Sequence, residues 1–510
     1  MKVKPHQGNY CYLKEHIINI EIPIMNETIF DQNCYRTNLI DNGISLVIFP
    51  RFKELDEGTL ASAGSRFIDS NGRPTIGICN VGNNIVFSLA HTKEYLESIL
   101  LHEFMHVLGF SGYNIINYFP NNSYYSMTDS EGSHFFVTSP KMIEKAKKYF
   151  SCDSITKIEF ENQGGEGTVG SHWEARYMLG DIMNGVIYPP EQVISEMTLA
   201  LFEDSGWYKP NYYTGGLMRY GKHQGCEFLT EKCVDQTTHK TKFKNDFWDE
   251  IYLDLPENPG CTSGRLGRGY AIYGKYSQDL PTYYQYFSQP NYGGFHSSAN
   301  YCPTFYDIDI IGYPRENHYL ANCQKGDGDF GLLTFYRYSD TQLGNGISNG
   351  ELPSDFGEVY GDNSFCSLTT LIPESSNTDI KNKYEDFPRA FCYPMYCSDR
   401  SLTIQINNDF IVCPRSGGKV KMEGYIGFVL CPDYNLICTG TVMCNDLFDC
   451  VDKKSEPKID NYDYIIKTSQ KLSEEMDDSK SPVIVAYELS ENGKCEKGCA
   501  HCTSSECKKY

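Results

Sequence analysis

Leu100-Leu101-His102-Glu103-Phe104-Met105-His106-Val107-Leu108-Gly109-Phe110 is the stretch on which the reading of this chain turns. Leu96, Ile99 and Leu100 continue into Phe104, Val107 and Leu108 at helical spacing, which predicts a buried helix. Side chains four residues apart share one face of a helix, so His102 and His106 can reach a single metal ion. Glu103 sits beside them, where a carboxylate can take a proton from a metal-bound water. Gly109, which has no Cβ, can turn the chain sharply and end the helix there. The bland alternative is a core helix with incidental histidines. It must set two imidazoles and a carboxylate in an apolar surface without partners, which is costly. A metal is the better reading.

A catalytic zinc of this kind takes three protein ligands and keeps one position open for water. In the compact form of the motif the third histidine follows the glycine by three residues, and here that position is Gly112. The ligand must come from elsewhere, and two histidines share the string Gly-Ser-His. His134 lies in Glu131-Gly132-Ser133-His134-Phe135, and His172 in Val169-Gly170-Ser171-His172-Trp173-Glu174. A lone histidine is more often structural or solvated than a ligand, so the chemistry alone leaves both open. His172 has the better company. It follows Gln163-Gly164-Gly165-Glu166-Gly167 and precedes Asp181-Ile182-Met183-Asn184-Gly185, a turn-like site for a methionine beneath a metal.

With these strings in view, the chain resembles the leishmanolysin family of metzincin zinc endopeptidases. The resemblance is carried by His102 through Gly112 and by Glu161-Asn162-Gln163-Gly164-Gly165-Glu166-Gly167-Thr168-Val169-Gly170-Ser171-His172. Met183, Met197 through Tyr208, Gly225-Cys226-Glu227-Phe228-Leu229 with Cys233, and Asn300-Tyr301-Cys302-Pro303 extend it in the same order. A long insertion between the glycine and the third ligand distinguishes that family, which accounts for Gly112. The resemblance implies an α+β metzincin (zincin-like) catalytic fold followed by a disulfide-rich, mostly β C-terminal domain. It implies one Zn2+ held by His102, His106 and His172, with Glu103 as general base and acid and Met183 as the methionine of the Met-turn. His134 then falls inside the insertion. Some other metzincins carry a tyrosine two residues after that methionine; here the position is Gly185, so no tyrosine is assigned an oxyanion role. Substrates are expected to be proteins or peptides.

Composition narrows the setting. The chain has 510 residues, 45 Lys+Arg against 66 Asp+Glu, and a formal net charge of −21. That balance argues against nucleic acid or an anionic membrane surface as a partner, since phosphates are repelled. Twenty-one cysteines point to an oxidising compartment, outside the cell or at its surface. Cys495, Cys499, Cys502 and Cys507 read as disulfide cysteines rather than a zinc site. Met1 through Gly8 is polar and no apolar core follows, so neither a signal peptide nor a membrane span is expected in this sequence, and a chain lacking its natural start reconciles this with the cysteines. Four regions are expected: 1–111 with the metal helix, 112–240 with the third ligand and Met-turn, a disulfide-rich 241–455, and a polar linker with a short Cys-rich tail over 456–510. The aromatic run Tyr283-Tyr284-Gln285-Tyr286-Phe287 and Trp248 read as packing residues rather than a binding surface. A zinc endopeptidase is the leading functional reading. The alternative is a catalytically silent surface or adhesion protein that keeps the fold.

Overall fold

The computed structural model describes the chain largely within residues 47–82, 93–307, 357–376 and 389–438, with Cys323 and the pairs 501–502 and 507–508. Expectations that fall on Trp248 and on the polar stretch 456–490 lie outside the described residues.

Three strands begin the described fold: β1 (Val47–Lys53), β2 (Ala61–Ile68) and β3 (Pro74–Gly82). β3 is central, parallel to β1 and antiparallel to β2, with Val47 opposite Ile76 and Ala61 opposite Val81. Helix α1 (Lys93–Leu108) carries the histidine motif and packs against β2 and β3. Its approach is close at Gly77, where a Cβ would stand 2.1 Å from Val107 Cγ1. Only glycine leaves room for the helix there. At the far end Gly109 takes φ +119°, and the Phe110 N–H returns to the Met105 carbonyl at 3.0 Å. The helix therefore stops where the glycine was expected to stop it.

Past this stop, α2 (Gly112–Tyr118) begins at Ser111, whose hydroxyl accepts from the Asn114 N–H. An antiparallel sheet follows, made of β4 (Tyr124–Asp129), β5 (Gly132–Val137) and β6 (Ile158–Phe160), with α3 (Pro140–Phe150) between β5 and β6. From β6 the chain makes a glycine-rich excursion and returns: the Glu161 N–H donates to the His172 carbonyl at 2.8 Å and the Gly170 N–H to the Glu161 carbonyl at 2.8 Å. That closure brings His172 back beside β6. Helix α4 (Glu196–Asp204) then packs on α3.

The C-terminal region is mostly β. Its largest sheet has six strands in the order 409–413, 402–406, 389–397, 364–369, 429–431 and 418–420. Cys261–Cys366, Cys323–Cys392, Cys397–Cys438 and Cys413–Cys431 staple it, while Cys152–Cys226 and Cys233–Cys302 belong to the core that includes Met105 of the metal helix. One apolar core runs from Met105 and Phe110 through Phe160, Trp173 and Met197 to Tyr284, Tyr286, Phe287 and Cys302. The aromatic run is packing, as expected. A second core gathers Leu266, Tyr393, Ile404 and Val429. The architecture is α+β with a disulfide-rich, mostly β C-terminal region.

Candidate metal centre

Two segments meet at one point. α1 presents His102 and His106 on one face, and the return from the glycine-rich excursion presents His172. Phe110, just past the helix stop, wedges them together: its ring lies 5.3 Å from Phe160 and 5.3 Å from Trp173. The Nε2 atoms then converge, at 3.1 Å for His102 and His172, 3.1 Å for His102 and His106, and 3.2 Å for His106 and His172.

The opposite ring nitrogens decide what those Nε2 atoms carry. His102 Nδ1 faces the Ile182 carbonyl at 2.5 Å, His106 Nδ1 the Phe110 carbonyl at 2.7 Å, and His172 Nδ1 the Thr168 carbonyl at 3.0 Å. A carbonyl can only accept, so each Nδ1 holds the proton and donates it. Each Nε2 is left with a bare lone pair. Three lone pairs at this spacing repel one another unless a cation takes them. A tetrahedral zinc ion with bonds of about 2.0–2.1 Å holds its ligand nitrogens about 3.3–3.4 Å apart, close to the spacing found. The donor set fits zinc.

Electrostatics agree. Burial, and next to it the neighbouring His172, pushes His102 down to about 3. Burial likewise lowers His172 to about 4 and holds His106 well below the usual histidine range. All three are neutral at pH 7, the form a metal binds. Glu103 is 4 % exposed, its Oε2 has no protein partner, and burial raises it to about 8. Cys79 of β3, a buried free thiol, is pushed up by burial and then by the charge of Glu103.

Met183 is fully buried in the turn after the His172 segment, with the Trp173 N–H donating to its carbonyl at 2.9 Å. His134 is not brought to the cluster. It sits on β5 between Glu159, which accepts from Nδ1, and Asp129, 3.2 Å from Nε2. Among the described residues, His102, His106 and His172 form the one group able to hold a metal. Sequence reasoning missed the three carbonyls that orient the rings, because every residue carries a carbonyl and none is marked. It also passed over Asp181 and Thr198, whose burial no local pattern announces.

The geometry defines a three-histidine metal centre on an α+β scaffold with a carboxylate on the same helix turn. Profile comparison matches the family described as Leishmanolysin over residues 14–444, and the chain belongs to that family. A leishmanolysin homolog from Crithidia fasciculata is 34% identical over 253 residues, covering 48% of this chain and 36% of that protein. A leishmanolysin-like peptidase from Caenorhabditis briggsae is 28% identical over 347 residues, 64% of this chain and 48% of the relative. Leishmanolysin from Leishmania major is 26% identical over 407 residues, 76% of this chain and 58% of the relative. The chain thus spans about half the length of the relatives it matches.

Proposed function

We propose that this chain is a zinc-dependent endopeptidase that hydrolyses protein or peptide bonds at the cell surface or in the extracellular space. The observation that carries the reading is the convergence of three unprotonated Nε2 atoms beside a buried glutamate with a free oxygen. His102, His106 and His172 would hold the ion. When bound, zinc supplies Lewis acidity, lowering the pKa of a coordinated water and polarising a carbonyl oxygen. Glu103 takes the proton of the attacking water as its oxygen bonds to the scissile carbonyl carbon. It then delivers that proton to the amide nitrogen as the C–N bond breaks. Met183, buried in its turn, would be the methionine of the Met-turn. β2 is one of the two edges of its sheet among the described residues and the one that packs against α1, so an extended peptide can add to it as a further strand.

Six disulfides among the described residues support an oxidising compartment. Among the described residues no helix is long and apolar enough to cross a membrane. A silent adhesion protein has no use for the orienting hydrogen bond on each of the three rings, which favours the enzyme.

Glu103→Gln is expected to lower kcat by roughly 10²–10⁴-fold while zinc content stays near one per chain. A casein or peptide cleavage assay beside elemental analysis reads both, and retained activity would overturn the mechanism. In the same assay, zinc should be lost from His172→Ala and kept in His134→Ala; the reverse pattern would move the third ligand into the insertion.

A further inference from the structure

Asp181 is a fully buried carboxylate held entirely by neutral donors. Its Oδ1 accepts from the Met183 N–H at 2.7 Å; its Oδ2 accepts from the Ser195 N–H at 3.1 Å and the Thr198 hydroxyl at 2.8 Å. One arm of this arrangement reaches His102. Around Ile182 the backbone is pinned on both sides: the Asp181 N–H donates to the Met178 carbonyl at 3.0 Å, the Ile182 N–H to the Val193 carbonyl at 2.7 Å, and the Met183 N–H to Asp181 itself. With those bonds made, the Ile182 carbonyl stands 2.5 Å from His102 Nδ1.

The other arm reaches His172. Trp173, its neighbour in sequence, is fully buried, and its indole N–H donates to the Thr198 hydroxyl oxygen at 2.7 Å. An indole can only donate, so the single hydroxyl proton of Thr198 is free to go to Asp181 Oδ2. The backbone repeats the link, since the Trp173 N–H donates to the Met183 carbonyl and Asn184 Nδ2 to the Trp173 carbonyl at 3.3 Å. A single carboxylate therefore joins the carbonyl that orients one ligand to the segment that carries another.

We propose that Asp181, acting through Thr198 and the Ile182 carbonyl, is a positioning residue that sets the metal affinity of the site by holding His102 and His172 in register. The proposal rests on the reading that the three histidines bind zinc. Its physical basis is general: groups that orient a ligand imidazole typically change metal affinity by about 10–100-fold when removed. Asp181→Asn sets an amide NH2 against either the Met183 N–H or the Ser195 and Thr198 donors, so the three bonds that tie the Ile182 turn to Thr198 cannot all be kept. Thr198→Val keeps the carboxylate but cuts the link to Trp173, and Thr198→Ser keeps the hydroxyl.

The test uses the full chain and two readouts besides activity. One is zinc affinity by competition with a chelator of known strength; the other is the visible absorption of the Co2+-substituted protein, which reports ligand geometry rather than global stability. Asp181→Asn and Thr198→Val are expected to weaken zinc binding by about 10–100-fold and to shift the cobalt bands, with Thr198→Ser close to wild type. Should Asp181→Asn not fold, Thr198→Val against Thr198→Ser decides the matter. Wild-type affinity and cobalt spectrum in Thr198→Val would overturn the proposal, as would equal losses in Thr198→Val and Thr198→Ser. A wild-type chain that takes up no zinc would sink the metal reading and this proposal together.

Discussion

His134 and His172 follow the same dipeptide, Gly-Ser, yet their chemistry is opposite. His172 is buried neutral with Nε2 bare, whereas His134 is held between two carboxylates that favour its protonated form. The hydrogen bond to Glu159 is the largest cause of its raised pKa, burial opposes it, and the charges of Glu159 and Asp129 add to it. A folded pKa above the unfolded value gives stability that is full below about pH 6.5 and is lost as pH rises through the folded value. His134→Gln should therefore destabilise the protein more at about pH 5.5 than at about pH 8.5. Urea unfolding at the two pH values measures this, and an equal loss at both would show that the ion pair contributes nothing. At this scale residue chemistry alone left His134 and His172 open, the glycine-rich and turn-like company of His172 leaned towards it, and the family resemblance chose it. The protonation of His134 follows from Glu159, 25 residues away, and the neutrality of His172 chiefly from its burial in the folded core, which no local string displays.

At the scale of elements, α1 was the most legible part of the chain. Its apolar spacing, its two histidines and its terminal glycine all act within the helix itself, so local sequence contains what forms it. Its seat on the sheet was not legible. Gly77 carries no motif, yet the helix rests directly over it, 2.1 Å from where a Cβ would be. Gly77→Ala is expected to cost about 1–3 kcal/mol through overpacking against Val107 and to weaken zinc binding as α1 is pushed outward. Combining it with Val107→Ala should recover part of that loss. Chemical denaturation of the two variants checks it; additive losses in the double variant would show that the two sites do not touch.

On the scale of the whole molecule, the core beneath the metal centre draws on residues as distant as Tyr284 and Cys302. Gln163, in the excursion leading to His172, donates from Nε2 to the Tyr284 hydroxyl at 3.1 Å. The Cys233–Cys302 bridge closes a separation of 69 residues across this core. Replacing both cysteines with serine should cost about 2–4 kcal/mol, chiefly by freeing the unfolded chain. Differential scanning calorimetry reads the shift, and an unchanged melting temperature would mean that the bridge adds nothing to the packing. Cysteine count alone pointed to such staples. The pairing was not legible, because the six separations among the described residues run from 18 to 105 and any cysteine is chemically equivalent to any other before folding.

The sequence by itself determined the parts of the site that one helix supplies: His102 and His106 on a shared face, Glu103 between them in the chain, and the stop at Gly109. It did so because a period of about 3.6 residues converts spacing directly into direction. Tertiary structure alone decided which nitrogen of His102 points inward, how Asp181 and Thr198 brace the ligands, and why His134 stays apart. Those outcomes depend on backbone carbonyls and buried donors meeting across separations of up to 80 residues. Such partners are chosen by packing, and a carbonyl looks the same at every position until the chain is folded.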